Sequence, residues 1–270
     1  MIKTCIICKG VLIKFTKSFE YEIFKCVNCG FGVTDKAILQ KGSYHRDETY
    51  IEEEKLFGNI FQKRVNILNK LVKPGRVLEI GCSTGIFLWQ LKRIGWDVKG
   101  IEISKASVAA AKDKGINVIT VPFEKAKLDE KFDLVILNHT LEHLKDPLQV
   151  MKKLSEIIKS GGYLYIDLPN FASLSCKILK GNWSMLLPEE HLWHFTQKSL
   201  KVLLNKNGLR MVFVDKASGI WDFADPIGGI FDSFLTLKKR FFTQIVTAIP
   251  SYIVWKLGLG SDLMVIAKKL

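Results

Sequence analysis

The sequence predicts an α/β fold in which a doubly wound, seven-stranded sheet follows a small zinc ribbon. Three observations support this fold class. A buried apolar strand runs into a glycine turn that opens a helix at 77–88, four cysteines form two C-x-x-C pairs near the amino terminus, and the remaining chain alternates strand-like and helix-like segments. The chain has 270 residues, of which 48% are hydrophobic, which is enough for one α/β domain and a small appendage.

The ribbon is the first element, and we assign it to residues 1–40. Its two C-x-x-C pairs have a spacing typical of structural zinc sites, and tetrahedral Zn²⁺ takes four thiolates. Loose alternation over 11–15 and 21–25 predicts two short strands. Disulfides and a redox pair are disfavoured alternatives, because the chain starts without an export signal and no βαβ frame surrounds the pairs. The predicted zinc ligands are Cys5, Cys8, Cys26 and Cys29.

The strand at 77–80 leads into a turn with two glycines, Gly81 and Gly85. Residues without a Cβ allow a tight reversal and a close approach to a ligand. A dinucleotide fingerprint would need further glycines where Ser83 and Ile86 stand. The turn therefore predicts a nucleoside ligand without a pyrophosphate.

Two acids flank this turn. Glu79 lies inside the strand, where a carboxylate suits a cationic ligand such as an amino-acid ammonium and would repel a diphosphate. Glu102 ends the next predicted strand, 97–102, at the position where an α/β nucleoside site places a carboxylate for the ribose hydroxyls. Together the acids predict a ligand with an amino-acid part and a ribose.

The other elements alternate as a doubly wound fold requires. Cap residues mark three helix starts, at Ser104, at Asp146 with Pro147 behind it, and at Thr196. The remaining predicted helices are 47–72, from apolar residues at three- to five-residue steps, and 86–94. The later predicted strands are 116–121, 132–138, 163–168, 210–215 and 262–267, of which the last two should form an edge hairpin.

Four of the five histidines lie in two short segments, as His139 with His143 and as His191 with His194. The carboxyl ends of parallel strands bind ligands in α/β sheets, and a neutral imidazole there can act as a general base. We therefore treat all four as catalytic candidates, with helix-start hydrogen bonding and aromatic packing as the structural alternatives. The H-x-x-E-H spacing at 139–143 also occurs in zinc peptidases, but those enzymes need it along a helix.

Several motifs together resemble the class I S-adenosylmethionine-dependent methyltransferases, over roughly 45–220 and the last strand. Leu78–Gly85 and Gly100–Ile103 are similar to their first two motifs. Phe132–His143 resembles the branch that includes ubiquinone-biosynthesis O-methyltransferases, as do the segments 168–170 and 190–196. That branch carries a glutamate where this chain has His139, and a divalent cation is implicated there with the residues matching Glu142 and His143. The resemblance implies that the cofactor is S-adenosylmethionine and that its binding residues are Glu79, Gly81, Cys82, Ser83, Gly85, Glu102, Ile103, Phe123, Glu124 and Asn138.

The expected activity is methylation, most simply at an oxygen of a small-molecule, sugar or prenylated acceptor. An apolar helical insertion at 221–260 within the domain 41–270 could contact a membrane surface, although it is too short to span one. The net charge of +13 comes from scattered lysines, so nucleic acid is a less favoured partner. A ribosomal-RNA methyltransferase and a non-catalytic docking protein are the alternatives. We expect a cytoplasmic or membrane-peripheral location, and the sequence leaves the oligomeric state open.

Overall fold

A computed structural model describes residues 4–35, 52–235 and 240–270, without the side chains of 240 and 241. It confirms the α/β fold with a seven-stranded mixed sheet. The strands are β1 Leu12–Ser18, β2 Tyr21–Cys26, β3 Gly32–Thr34, β4 Arg76–Ile80, β5 Asp97–Ile101, β6 Asn117–Ile119, β7 Phe132–Asn138, β8 Ile158–Pro169, β9 Trp193–His194, β10 Leu209–Asp215 and β11 Asp262–Lys269. The described helices are α1 Glu54–Leu71, α2 Ile86–Arg93, α3 Lys105–Asp113, α4 Pro147–Ile157, α5 Leu174–Leu179, α6 Gln197–Lys206, α7 Pro226–Leu235 and α8 Arg240–Lys256.

The chain divides into two compact units. Unit 1 comprises Met1–Tyr44, Leu128–Lys216 and Leu259–Leu270, and unit 2 comprises His45–Lys127 and Ala217–Gly258. Unit 1 supplies sheet strands in the order β10-β11-β8-β7, and unit 2 supplies β4-β5-β6. The predicted domain boundary at residue 40 and the predicted helix start at residue 47 lie outside the described residues.

In unit 1, β7 and β8 are parallel, while β11 pairs antiparallel with both β8 and β10. The predicted edge hairpin is therefore confirmed. The ribbon forms a separate sheet in the order β1-β2-β3-β9, and the pairing of β3 with β9 joins it to the segment before α6. Two predicted caps are present: Asp146 accepts hydrogen bonds from the first turn of α4, and Thr196 forms a capping box with Ser199.

In unit 2, β4, β5 and β6 are parallel. Helix α1 buries one stripe of its surface, and its Phe61 ring stacks on Phe87 of α2 with centroids 5.1 Å apart. Ser104 caps α3 as predicted, by accepting a hydrogen bond from the Ser107 N–H. These contacts fix the strand ends from which the glycine turn and Glu102 project.

The fifth sheet strand begins earlier than the predicted 163–168, because α4 ends at Ile157 and β8 begins at Ile158. Phe132 pairs with Ile158 and Leu134 pairs with Tyr163, so β8 has three more residues than β7 at this irregularity. Gly161 lies within it and takes a positive φ of 75°, which glycine adopts without strain. Within the described ranges, none of the helices is long and apolar enough to cross a bilayer.

Candidate functional site

The glycine turn after β4 is held in a left-handed conformation at three residues. Gly81, Ser83 and Gly85 have φ values of 72°, 46° and 74°. The N–H groups of Gly81 and Cys82 both donate to the Ile101 carbonyl at the end of β5. A Cβ on Gly85 would lie 3.0 Å from the Ala111 Cβ, so helix α3 leaves no room for a side chain. The turn is therefore compact because of its glycines, as predicted.

Glu102 fastens this turn to the end of β5. Its Oε2 accepts a hydrogen bond from the Ser83 N–H at 2.9 Å, and its Oε1 accepts from the Ile103 and Ser104 N–H groups at 2.7 and 2.9 Å. The residue is only 6% exposed. These three bonds orient the Glu102 carboxylate at the turn.

Glu79 is the second acid at the turn, and it is 2% exposed. Its Oε2 is buried without a hydrogen-bond partner among the described residues. Burial raises the pKa of the Glu79 carboxyl well above its usual value, and the charge of Glu102 raises it further. A buried orphan carboxyl of this kind suits a ligand that carries a positive charge, because the cation would offset the cost of ionisation.

Other predicted cofactor contacts follow the neighbouring strands of unit 2. Ile103, just after β5, is 49% exposed, whereas Cys82 is buried in the turn. Phe123 and Glu124 lie in a 3-10 turn after β6, where Phe123 is 3% exposed and Glu124 is solvent-exposed. Asn138 belongs to unit 1, where it ends β7 and is partly buried.

The four ribbon cysteines converge as predicted. All are free thiols, and their Sγ atoms lie within 4.8 Å of one another. The Sγ atoms of Cys5 and Cys29 are 3.7 Å apart, and those of Cys8 and Cys26 are 3.4 Å apart. Thiolates around tetrahedral zinc would be about 3.8 Å apart for a Zn–S bond of ~2.3 Å. The donor set therefore fits zinc without rearrangement of the backbone.

The two knuckles differ in how they make their turns. Gly30 takes a positive φ of 75° in the second knuckle. In the first knuckle Lys9 takes the left-handed conformation, with φ 63°. A Cβ on Gly10 would lie 2.7 Å from the Asn28 side-chain amide, so this glycine is needed for close packing of the two knuckles.

The histidines of unit 1 converge on one buried acid, Glu142, which is 1% exposed. The His143 and His191 rings are 4.7 Å apart between centroids, and His139 Nδ1 is 3.5 Å from Glu142 Oε1. Histidines more than forty residues apart in sequence therefore meet. Glu142 is not among the predicted catalytic residues, although the family resemblance places it with His143 at a divalent-cation site and it lies inside the H-x-x-E-H spacing.

Backbone carbonyls fix the tautomers of two rings. His143 Nδ1 lies 3.1 Å from the Glu190 carbonyl, and His191 Nδ1 lies 3.1 Å from the Met185 carbonyl. A carbonyl only accepts, so each Nδ1 carries the proton and each neutral ring keeps its lone pair on Nε2. One ligand atom each from Glu142, His143 and His191 lies within 4.8 Å of the others. This trio can hold a divalent cation as well as a proton.

The charges in the cluster give His139 and His191 different protonation states. Burial lowers the pKa of His139, but the hydrogen bond and charge of Glu142, helped by Asp167 and Asp262, raise it to about 9. Burial would raise the pKa of Glu142, but hydrogen bonding to His139 and the nearby imidazoles lower it to about 2. Burial lowers the pKa of His191 to about 4. His139 is therefore a cation at neutral pH, whereas His191 is neutral.

His194 sits in the ribbon sheet at β9 and is 3% exposed. The Thr34 hydroxyl donates to the His191 carbonyl, so the His194 Nε2–H must donate to Thr34 Oγ1, at 2.8 Å. Its ring also stacks on Phe171, with centroids 4.9 Å apart. These contacts correspond to the packing alternative for this residue. The H-x-x-E-H segment itself ends a strand and enters a 3-10 turn, so the helix required by zinc peptidases is absent there.

Comparison with known proteins shows which enzyme family the chain is similar to. A family model described as a methyltransferase domain matches residues 53–214. A malonyl-[acyl-carrier protein] O-methyltransferase of Ilyobacter polytropus is 25% identical over 73% of this chain and 81% of its own length. A ubiquinone biosynthesis O-methyltransferase of Pseudomonas fluorescens is 31% identical over 42% of this chain, and the match spans only half of that enzyme.

Solved structures show the same fold. An S-adenosylmethionine-dependent methyltransferase of Thermotoga maritima aligns with a TM-score of 0.57 at 21% identity, over 83% of this chain and 97% of its own. The magnesium protoporphyrin IX methyltransferase of Synechocystis, with S-adenosylhomocysteine bound, aligns with a TM-score of 0.55 at 15% identity, over 82% and 88% of the two chains. At these identities the likeness extends to the fold alone.

Proposed function

This chain belongs to the methyltransferase-domain family of S-adenosylmethionine-dependent enzymes, and we propose that it methylates an oxygen of a small-molecule, sugar or prenylated acceptor. The observation that carries the proposal is the buried pair Glu79 and Glu102 around the left-handed glycine turn. Two relatives, the Ilyobacter and Pseudomonas enzymes, are named as O-methyltransferases. The oxygen acceptor is inferred from those names and from the histidines near the strand ends.

Each end of the cofactor would contact a carboxylate that suits its charge or its hydroxyl groups. When bound, S-adenosylmethionine supplies a methyl group on a positive sulfonium. Glu79 pairs with the ammonium of the methionyl part, and Glu102 accepts hydrogen bonds from the ribose hydroxyls. Holding both ends fixes the methyl group for in-line attack, so positioning accounts for much of the rate. The other proposed cofactor contacts are Gly81, Cys82, Ser83, Gly85, Ile103, Phe123, Glu124 and Asn138.

His143 is our first choice for the base that removes the acceptor proton. Its Nδ1–H donates to the Glu190 carbonyl, its ring is partly exposed, and its Nε2 keeps a lone pair in the neutral form. A general base of this kind contributes about 10²–10⁴-fold to a rate. The alternative use of the cluster is metal-assisted: Glu142, His143 and His191 would hold a divalent cation that lowers the pKa of the acceptor hydroxyl.

Zinc in the ribbon is a further part of the proposal. The convergence of four free thiols supports it, with Cys5, Cys8, Cys26 and Cys29 as ligands. The ion would be structural, because all four positions are taken by protein and none is left for a substrate. This assignment of zinc does not depend on whether the ribbon binds substrate or another protein.

The direct test is an acceptor screen with methyl-labelled S-adenosylmethionine. Label appearing on hydroxylated metabolites, sugars or prenylated phenols supports the proposal, with O-methylation read from the product mass and its fragments. Label on ribosomal RNA would select the RNA alternative, and cofactor binding without turnover in any pool would select the docking protein. Loss of turnover after treatment with a chelator that spares the ribbon zinc would favour the metal-assisted mechanism over a histidine base.

Replacing Glu102 with alanine is expected to weaken S-adenosylmethionine binding at least tenfold, or about 1.4 kcal/mol. The variant removes the ribose acceptor and also the three N–H contacts that hold the turn. Isothermal calorimetry measures the loss. Asp97→Ala is the matched control, because Asp97 begins the same strand and its side chain is 74% exposed in a surface pair with Arg76. Equal affinity in Glu102→Ala and Asp97→Ala would contradict the assignment of Glu102.

Cofactor affinity is expected to rise with pH from the ordinary carboxyl range towards the raised pKa of Glu79, while the pH stays below the α-amino pKa of about 7.7–8.0. The empty site raises the pKa of Glu79, and pairing with an ammonium needs the ionised carboxylate. Binding therefore releases a proton wherever the pH lies between the pKa of Glu79 in the complex and its raised pKa in the empty site, with a slope of at most about tenfold per pH unit. Calorimetry in two buffers of different ionisation enthalpy counts the proton. Glu79→Gln should bind more weakly and release none, and an unchanged proton release in that variant would exclude Glu79 as its source.

A further inference from the structure

Helix α8 has its polarity reversed relative to an ordinary surface helix. The two α8 side chains that are buried, among those the structure describes, are polar: Gln244 is 9% and Ser251 is 8% exposed. The Gln244 Oε1 atom is buried and has no hydrogen-bond partner among the residues that the structure describes. Large apolar side chains instead face outward, at Ile245 (49% exposed), Val246 (72%), Ile249 (74%) and Ile253 (52%), followed by Leu257 (66%). A soluble helix usually shows the opposite arrangement.

Helix α7 repeats the pattern in the same unit. Ile227, Phe231 and Leu235 are 80%, 61% and 64% exposed, and they recur at steps of four residues along one face. The two helices pack on each other and on the turn Gly219–Asp222. We call the eight side chains the outer stripes: Ile227, Phe231, Leu235, Ile245, Val246, Ile249, Ile253 and Leu257. Single exposed apolar residues are common, but sets of this size mark an interaction surface.

The charged residues of α8, Arg240 and Lys256, are both cations, whereas α7 contains Asp232 and follows Asp225. From Ser233 to Ser261 the sequence contains no aspartate or glutamate, and its cations are Lys238, Lys239, Arg240 and Lys256. Lys256 lies over the rings of Tyr252 and Trp255, with its Nζ 5.3 and 4.7 Å from their centroids. Aromatic rings beside lysines are typical of the polar boundary of a bilayer, where the ring stays at the headgroup level.

We propose that the outer stripes of α7 and α8 dock on an anionic lipid surface, with α8 lying in the plane of the interface. The apolar face of α8, a helix whose charged residues are all cations, matches the hydrocarbon boundary below and the anionic headgroups above. A second copy of this chain fits less well, because two α8 helices placed face to face would bring only cations together. The inference deepens the lipid-acceptor part of the proposed function, because it names where the protein would meet an acceptor dissolved in a bilayer.

The test is co-sedimentation of the full chain with lipid vesicles, without cofactor or acceptor. We expect binding to phosphatidylcholine vesicles that contain about 30 mol% phosphatidylglycerol, and weaker binding to phosphatidylcholine alone or at high salt. Val246→Glu/Ile249→Glu should reduce partitioning at least tenfold. The matched control is Ile178→Glu/Phe19→Glu, which adds the same charge at residues 67% and 84% exposed in unit 1 and should bind like the wild type.

Three results would overturn the inference. These are no vesicle binding by the wild type, equal binding by the Val246→Glu/Ile249→Glu variant, or a solution dimer that this variant dissociates while neither protein binds vesicles. Thermal melting and cofactor calorimetry check that the variants fold, and Val246→Ser/Ile249→Ser repeats the test if the glutamates lower the melting temperature. Because partitioning is measured without methyl transfer, failure here and failure of the proposed enzyme activity are separate outcomes.

Discussion

On the proposed assignment of zinc to the ribbon, replacing Cys26 with serine is expected to remove the ion and to unfold the ribbon. Apparent binding free energies of structural zinc reach about 10–16 kcal/mol, and a ribbon of roughly forty residues is too small to be held by a hydrophobic core alone. Elemental analysis should show zinc falling from one ion per chain to almost none. This loss of metal is the largest effect that we expect from a single substitution.

The damage should extend beyond the ribbon to the segment that the ribbon contacts. Thr196 Oγ1 donates to the Cys29 carbonyl at 2.8 Å, and β3 pairs with β9 through Val33 and Trp193. Both contacts end at the segment that caps α6. Hydrogen exchange should therefore show loss of amide protection in β9 and in the first turn of α6.

Cys176 provides the matched control for Cys26. It is fully buried in an apolar cluster with Ile23, Phe171, Trp183 and Leu186, and it has no partner cysteine. Cys176→Ala should lower stability through lost packing but keep one zinc per chain. A Cys26→Ser protein that retains its zinc, or that protects β9 as well as the wild type does, would contradict the structural role of the metal.

The cofactor turn could be predicted because its determinants are local. Gly81, Gly85 and Glu79 lie within seven residues, and each has a requirement that neighbouring residues set: a left-handed φ, close approach of a helix, or a buried strand position. The caps at Ser104 and Thr196 were predictable for the same reason, since each hydrogen bond spans three residues. Short-range geometry of this kind survives most differences in tertiary packing.

The sequence indicated the four histidines as catalytic candidates, but it did not predict how their side chains are arranged. His143 and His191 meet because of the chain path between β8 and β9, which no spacing rule supplies. Glu142 is the centre of the cluster only because its side chain turns inward from a 3-10 turn. The contact of Glu142 Oε1 with His139 Nδ1, at 3.5 Å, follows from that burial, so the difference between a cationic His139 and a neutral His191 could not be read from sequence.

The direction in which α8 presents its apolar side chains could not be predicted from the sequence either. A helical stripe of apolar residues has the same period whether it faces a core or faces solvent. Only the burial of Gln244 and Ser251 distinguishes the two. The apolar character of 221–260 was therefore predictable, whereas the direction in which α8 presents it depends on contacts with the turn Gly219–Asp222.

Replacing Asp222 with alanine is expected to destabilise the protein by about 3–5 kcal/mol, because it removes the carboxylate that pairs with the buried Arg64 guanidinium. Arg64 is 2% and Asp222 8% exposed. Arg64 Nη1 donates to Asp222 Oδ1 and to its carbonyl at 2.6 and 3.0 Å, and Nη2 donates to Oδ2 at 2.9 Å. Urea denaturation measures the loss. Since Asp222 ends the turn on which α7 and α8 pack, vesicle binding should weaken in parallel with stability.

The exposed ion pair Arg76–Asp97 provides a reference for the loss of stability expected from Asp222→Ala. Its atoms are 3.5 Å apart, and the two side chains are 51% and 74% exposed, so Asp97→Ala should cost less than about 1 kcal/mol. The double variant Arg64→Met/Asp222→Leu should recover most of the stability that Asp222→Ala loses, because it removes both charges and refills the space with apolar atoms. If Asp222→Ala costs no more than Asp97→Ala, the buried pair does not fix this turn. If the double variant is as unstable as Asp222→Ala, the loss comes from packing or from the Asp222 carbonyl contact, and the uncompensated charge is not its cause.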